Sequence, residues 1–167
     1  MKNITKTIIL ISMNNKLRIL PFVITALFAS CSPAKSEQMS KNAFSEYNIT
    51  FDQKIIWLDC LSQKEDHYLI FFYSETCAHC HEIMGDVLSF AEDNIIKMYF
   101  LDIKASDTKI PTSNNIDLTR GVNTVDDLFI AGTPSIVEVE NWIVKANIAG
   151  TDNCLTFLNE QRLINKK

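Results

Sequence analysis

Cys77-Ala78-His79-Cys80 follows the apolar, aromatic run Tyr68 to Tyr73 and opens a stretch with helical periodicity. Two cysteines separated by two residues at a helix start can make and break one disulfide, which marks a redox pair and not a structural staple. The reactive species is the thiolate. A helix N-terminus sets the first thiol, Cys77, against unpaired N–H groups and the positive end of the helix dipole. A protonated His79 would add a further attraction, so His79 is expected to stabilise the thiolate. A second signal lies downstream, where Gly132-Thr133-Pro134 forms a turn that leads into another apolar segment.

The same residues permit other chemistry. His81 extends the motif to Cys-x-x-Cys-His, the attachment signature of c-type haem, with two thioethers and His81 as axial ligand. Haem c domains are usually small helical folds, whereas this motif follows a strongly β-prone run. Cys77, Cys80, His79 and His81 also offer thiolate and imidazole ligands suited to Cu(I) or Zn(II). All four crowd one helical turn, so a single ion would be held by two cysteines and one histidine at most. A copper or haem carrier is therefore the alternative to a redox pair.

The elements that would position these residues follow from the apolar spacing. Residues 67–73 are expected to form a buried central strand. The helix opening at Cys77 has Thr76 or Ser74 as cap and Ile83, Met84, Val87, Leu88 and Ala91 as one stripe, with Gly85 interrupting it. Upstream, Tyr47 to Thr50 is expected as a short first strand. Phe51, Ile55, Leu58 and Leu61 predict a first helix running to about Gln63. Downstream come a strand over 95–101, an insertion over 104–121 rich in Ser, Thr, Asn, Asp and Pro, and one or two helical turns over 124–130. Residues 135–140 and 142–148 form a hairpin turning at Glu140-Asn141, and Leu155, Phe157, Leu158 and Leu163 support a closing helix. The order is mixed α/β, with a parallel start and an antiparallel finish.

The chain has 167 residues and 47% hydrophobic content, enough for one domain with a substantial core. Its net charge of −4 is unevenly placed, because the first thirty residues carry Lys2, Lys6, Lys16 and Arg18 and no acid. Without them 12 basic residues face 20 acidic ones, a net charge of −8, which leaves no electrostatic footprint for nucleic acid. Lys16 and Arg18 precede an apolar run, Ile19 to Ala29, of signal-peptide length. Met13 is a possible start. Leu27-Phe28-Ala29-Ser30-Cys31 resembles a bacterial lipobox, in which Cys31 would be lipidated; Phe28 stands where Leu is usual. Residues 1–30 are thus expected as a lipoprotein-type signal peptide, 31–45 as a flexible tether and 46–167 as the folded domain. The domain would work outside the cytoplasmic membrane, where disulfides persist.

Strand, Cys-x-x-Cys helix, strand, Thr-Pro turn, hairpin and final helix together resemble the thioredoxin superfamily over residues 47–163. The resemblance implies a central mixed sheet flanked by helices. It implies that Cys77 is the exposed nucleophile, that Cys80 is the buried resolving thiol, and that Pro134 is a cis-proline opposite the pair, presenting backbone to substrate. The chain departs from that pattern at Thr76 (usually Trp), Phe71 (usually a buried Asp) and Gly85 (often Pro). His79, just before the second cysteine, is similar to the oxidising branch of the superfamily. Cys60 and Cys154 would lie on opposite faces of such a sheet, as buried free thiols rather than a disulfide. His67 is expected at a strand edge, and Trp57 and Trp142 in packing.

The combined expectation is a monomeric, membrane-tethered, extracytoplasmic thiol–disulfide oxidoreductase. It would exchange disulfides with exported proteins and with a membrane electron donor or acceptor. No bound cofactor is required, because electrons arrive and leave through cysteine exchange. Besides the copper or haem carrier, an accessory module with this fold and little turnover is the remaining alternative.

Overall fold

The run Tyr68 to Tyr73 is buried along its whole length, and the architecture is built around it. A computed structural model describes residues 49–105 and 109–165. The expected signal peptide, Cys31 and the tether lie outside the described residues. Strands β1 (His67–Tyr73), β2 (Lys97–Asp102), β3 (Ser135–Glu140) and β4 (Ile143–Ala149) form one sheet in the order β2-β1-β3-β4. β1 pairs parallel with β2 and antiparallel with β3, and β3 pairs antiparallel with β4. Helix α1 (Ala78–Asp93) makes the crossover that a parallel pair requires, and helix α2 (Thr151–Asn165) closes the chain. This is a thioredoxin-like α/β fold, as the resemblance implied.

Alternation along β1 divides the core in two. Leu69, Phe71 and Tyr73 pack with Ile83, Met84, Val87 and Phe90 of α1 and with Cys154, Phe157 and Leu158 of α2. Tyr68, Ile70 and Phe72 face the other way, against Trp57, Cys60, Leu61, Leu128 and Ile130. Phe71 meets Phe100 edge-on at 6.2 Å between ring centres, and Trp57 meets Phe72 in the same manner at 6.2 Å. Cys60 and Cys154 therefore sit on opposite faces as free thiols, as expected.

Several elements differ from the expectation. Ile49 and Thr50 lie in no strand, and the helix expected from Phe51 is replaced by two short 3-10 turns, Phe51–Gln53 and Trp57–Asp59. Between them Lys54 bridges to Phe100, and Ile55 N–H donates to the Phe100 carbonyl at 3.0 Å. The exposed edge of β2 offers this segment backbone partners that compete with helical ones, and Leu58 is left exposed. The turns expected over 124–130 form no helix, because Ile130 pairs with Thr112 instead. The segment expected as an insertion is structural. It buries Ile110 and Thr119, and it lines the β4 edge, where Gly121 N–H donates to Val144 O at 2.8 Å and Val144 N–H to Val122 O at 2.9 Å. The hairpin turns on Asn141 and Trp142, both left-handed (φ 52° and 61°), so β4 starts one residue later than expected.

Gly85 does not interrupt α1, which runs through it with open space around the missing side chain. A helix-interior glycine costs about 0.8–1 kcal/mol relative to alanine. Gly85→Ala is therefore expected to raise the unfolding free energy by about that amount, read as a higher urea midpoint at unchanged slope. An unchanged or lower midpoint would show that the helix tolerates no methyl there.

Candidate functional site: a thiol pair at a helix start

β1 ends at the buried Ser74, and the chain turns sharply into α1. Cys77 N–H donates to the Ser74 carbonyl at 3.0 Å, and Thr76 N–H donates to Ser74 Oγ at 3.3 Å. Neither Ser74 nor Thr76 caps the helix. Cys77 itself is the N-cap, with extended backbone, and Cys80 N–H donates to its Sγ at 3.2 Å. A sulfur thus does the capping that a serine or aspartate oxygen usually does.

On its other side, Cys77 Sγ donates to the Thr133 carbonyl at 3.5 Å. The bond between Thr133 and Pro134 is cis, as the resemblance implied. The register brings these residues together: Phe72 pairs with Ser135, so the end of β1 and the start of β3 lie side by side. Pro134 is buried, and its carbonyl accepts Gly150 N–H at 3.0 Å from the start of α2. Ser135 Oγ donates to Gly132 O at 2.7 Å and tightens the same turn.

The four described thiols differ sharply. Cys77 is half-buried and reachable, whereas Cys80, Cys60 and Cys154 are fully buried. Burial, reinforced by the hydrogen bond with Cys77, pushes the Cys80 thiol up to about 12. Burial likewise pushes Cys154 up to about 12 and raises Cys60 strongly. Cys154 was not expected near the site. It lies behind the turn, with Sγ 3.9 Å from the Pro134 carbonyl. Its only sequence signal is its place four residues after Gly150 at the start of the closing helix.

Both motif histidines have partners. The exposed His79 ring lies with Nδ1 3.1 Å from Glu82 Oε2, and His81 Nε2 donates to the Glu75 carbonyl at 2.8 Å. Among the described residues no three His, Cys, Asp or Glu side chains are grouped to hold a metal ion. The two cysteines and one histidine of the copper or zinc alternative are thus not grouped among the described residues. Phe71, which departs from the pattern of the resemblance, is buried in the apolar cluster with Cys80 and Met84. His67 is at a strand start, 2.9 Å from Glu138. Trp57 is a packing residue, while Trp142 is half-exposed and donates to Gln63 O at 3.0 Å.

No protein-family model and no curated protein matches the chain. Among solved structures it is similar to mitochondrial thioredoxin 3 from Saccharomyces cerevisiae in its oxidised form, at 14% identity and a TM-score of 0.46, over 65% of this chain and 90% of that one. It is also similar to a mutant thioredoxin from Halobacterium salinarum, at 15% identity and a TM-score of 0.47, over 70% of this chain and 94% of that one. Thioredoxin f2 from Chlamydomonas reinhardtii gives 13% identity and a TM-score of 0.44, over 65% and 94%.

Thiolate is the species that alkylates. A thiol whose pKa is raised to about 12 carries only about one part in ten thousand thiolate at pH 8. Iodoacetamide at pH 8 is therefore expected to label Cys77 in the reduced native protein while sparing Cys60, Cys80 and Cys154, with all four labelled after denaturation. Peptide mapping checks this, and labelling of Cys80 as fast as Cys77 contradicts it.

Proposed function

We propose that this chain catalyses thiol–disulfide exchange with exported proteins, working outside the cytoplasmic membrane and held there through a lipid on Cys31. The observation that carries the reading is the pairing of an accessible thiol with a buried one. Cys77 is half-buried at a helix N-terminus with Thr133 O at 3.5 Å, and Cys80 is fully buried one turn away. In the reductive direction the Cys77 thiolate attacks one sulfur of the partner's disulfide. That S–S bond breaks, a Cys77–partner S–S bond forms, and the displaced sulfur leaves as a thiolate that takes up a proton. Cys80 then loses its proton and attacks Cys77 Sγ. The mixed disulfide breaks, the partner's second thiol departs, and the Cys77–Cys80 bond forms. Two electrons have passed from the pair to the partner, and the oxidative direction is the same sequence reversed.

Each residue has a role in this reading. Cys77 is the nucleophile, Cys80 resolves, and the turn at Pro134 borders the partner. His79 adds to the field at the sulfur when it carries a proton, an effect the Glu82 carboxylate at 3.1 Å partly cancels. The partners are exported protein thiols and disulfides together with a membrane donor or acceptor of electrons. The chain acts as a monomer without a bound cofactor.

The reduction potential of the Cys77–Cys80 pair tests this, read by intact mass after alkylation across a glutathione series. A value near about −120 mV assigns disulfide formation, and one near about −270 mV assigns reduction. A pair that does not cycle rejects the function. Cys77→Ser is expected to abolish exchange, and Cys80→Ser to accumulate mixed disulfides through Cys77 that only added thiol releases. Equal activity of Cys77→Ser and wild type would remove Cys77 from the reaction.

A further inference from the structure

A groove of about 500 Å³ opens between the start of α1 and the start of α2. Cys77 does not line it, but Thr133 does, and the Thr133 carbonyl is 3.5 Å from Cys77 Sγ. Its floor includes Thr133 and Pro134, and its walls include His79, Glu82, Thr151 and Asp152. Among the described residues that line it, the only full charges of fixed sign are the carboxylates of Glu82 and Asp152, with no lysine or arginine. α1 as a whole carries Glu82, Asp86, Glu92 and Asp93 and no basic residue except its two histidines. Residues from the starts of two helices line the groove, but a helix N-terminus contributes only about half a positive charge. Two full carboxylate charges outweigh them. The single base in the wall, His79, is already engaged by Glu82 at 3.1 Å.

We infer that this groove selects its partner by charge: the protein segment that exchanges with Cys77 carries Lys or Arg within about two residues of its reactive cysteine. This rests on the redox reading above and adds the class of partner to it. Glu82 reaches the groove from α1 and Asp152 from α2, so the two carboxylates would flank an extended segment laid over the Thr133–Pro134 turn. Fields of this kind act on the rate of encounter more than on the chemical step, and they weaken with salt.

The test uses the purified, reduced full-length chain at pH 8 with three peptides of equal length. Each has one cysteine capped as a mixed disulfide with mercaptoethanol and flanked by lysines, glutamates or serines. Each turnover oxidises the Cys77 and Cys80 thiols to their disulfide and releases peptide thiol and mercaptoethanol. The lysine peptide is expected to react about tenfold faster than the glutamate peptide at low salt. That ratio should fall toward the value of a small free thiol in about 0.5 M NaCl and in the Glu82→Gln, Asp152→Asn double variant. Comparing variants on the same peptides cancels the peptides' intrinsic reactivity. An equal ratio in wild type and double variant overturns the inference, as does a preference for the glutamate peptide. Failure of the wild type to exchange with any of the three instead rejects the redox reading.

Discussion

The pairing register between β1 and β3 governs the placement of every group at the thiol pair. β1 is buried on both faces, so a slip of one residue would exchange Leu69, Phe71 and Tyr73 with Tyr68, Ile70 and Phe72 and misfit both halves of the core. With the register held, Phe72 lies opposite Ser135. The turn before β3 must then stand next to the turn after β1, and Thr133 O comes within 3.5 Å of Cys77 Sγ. The strand that feeds both halves of the core is also the one that aims the sulfur. A destabilising change in β1 would for that reason disturb the site as well as the core.

Burial then gives the four described thiols different chemistry. Cys80 and Cys154 belong to the same apolar cluster that Cys77 only borders, and Cys60 is sealed in the cluster on the opposite face. Desolvation holds the three buried thiols in the protonated form, leaving one sulfur to meet a partner. In the exchange we propose, the order of events follows from that inequality. Cys80 becomes competent only when its proton is removed inside a site already occupied by a mixed disulfide. Phe71 places an apolar ring in the cluster behind the pair and offers no acid or base for that proton, so in the proposed exchange solvent, the leaving thiolate or a group brought by the partner takes it.

The sequence carried the central strand, the thiol helix, the hairpin and the closing helix legibly because each has an apolar period of its own. The turn at Pro134 was legible in the residues and its cis bond only through the resemblance, while the helix start was legible through Cys77. What could not be read was set by tertiary competition. Phe51, Ile55 and Leu58 fall at helical spacing, yet the open edge of β2 draws Lys54 and Ile55 into backbone pairing with Phe100. Ile130 sits in a stretch that suggests helical turns, but its backbone is claimed by Pro111 and Ser113. Neither choice is local, so no window of sequence contains it. The position of Cys154 behind Pro134 was hidden for the same reason, since it depends on where the start of α2 docks. His79 is a different case, because its spacing to Cys77 was visible but its ring turns to Glu82.

The crossover from β2 to β3 shows how the polar segment at 104–121 serves the site from a distance. Asn147 on β4 is buried and reaches this crossover twice. Its Nδ2 donates to Thr119 Oγ1 at 3.1 Å and to the Phe129 carbonyl at 2.8 Å. Thr119 Oγ1 in turn donates to Ile116 O at 2.6 Å. Removing the amide would take the donor from Thr119 Oγ1 and from the partly buried Phe129 carbonyl, at about 0.5–1.5 kcal/mol for each hydrogen bond lost. The Phe129 end of that clamp stands only a few residues before Thr133. Between them Ile130 N–H donates to Pro111 O at 3.1 Å and accepts Ser113 N–H at its carbonyl at 3.0 Å. The turn that receives the Cys77 thiol is therefore fixed from two sides: from α2 by Gly150 N–H on the Pro134 carbonyl, and from β4 and the crossover by Asn147 and the Ile130 pairing. A segment that composition marks as a loop acts as the strut that keeps the Thr133 carbonyl within reach of the sulfur.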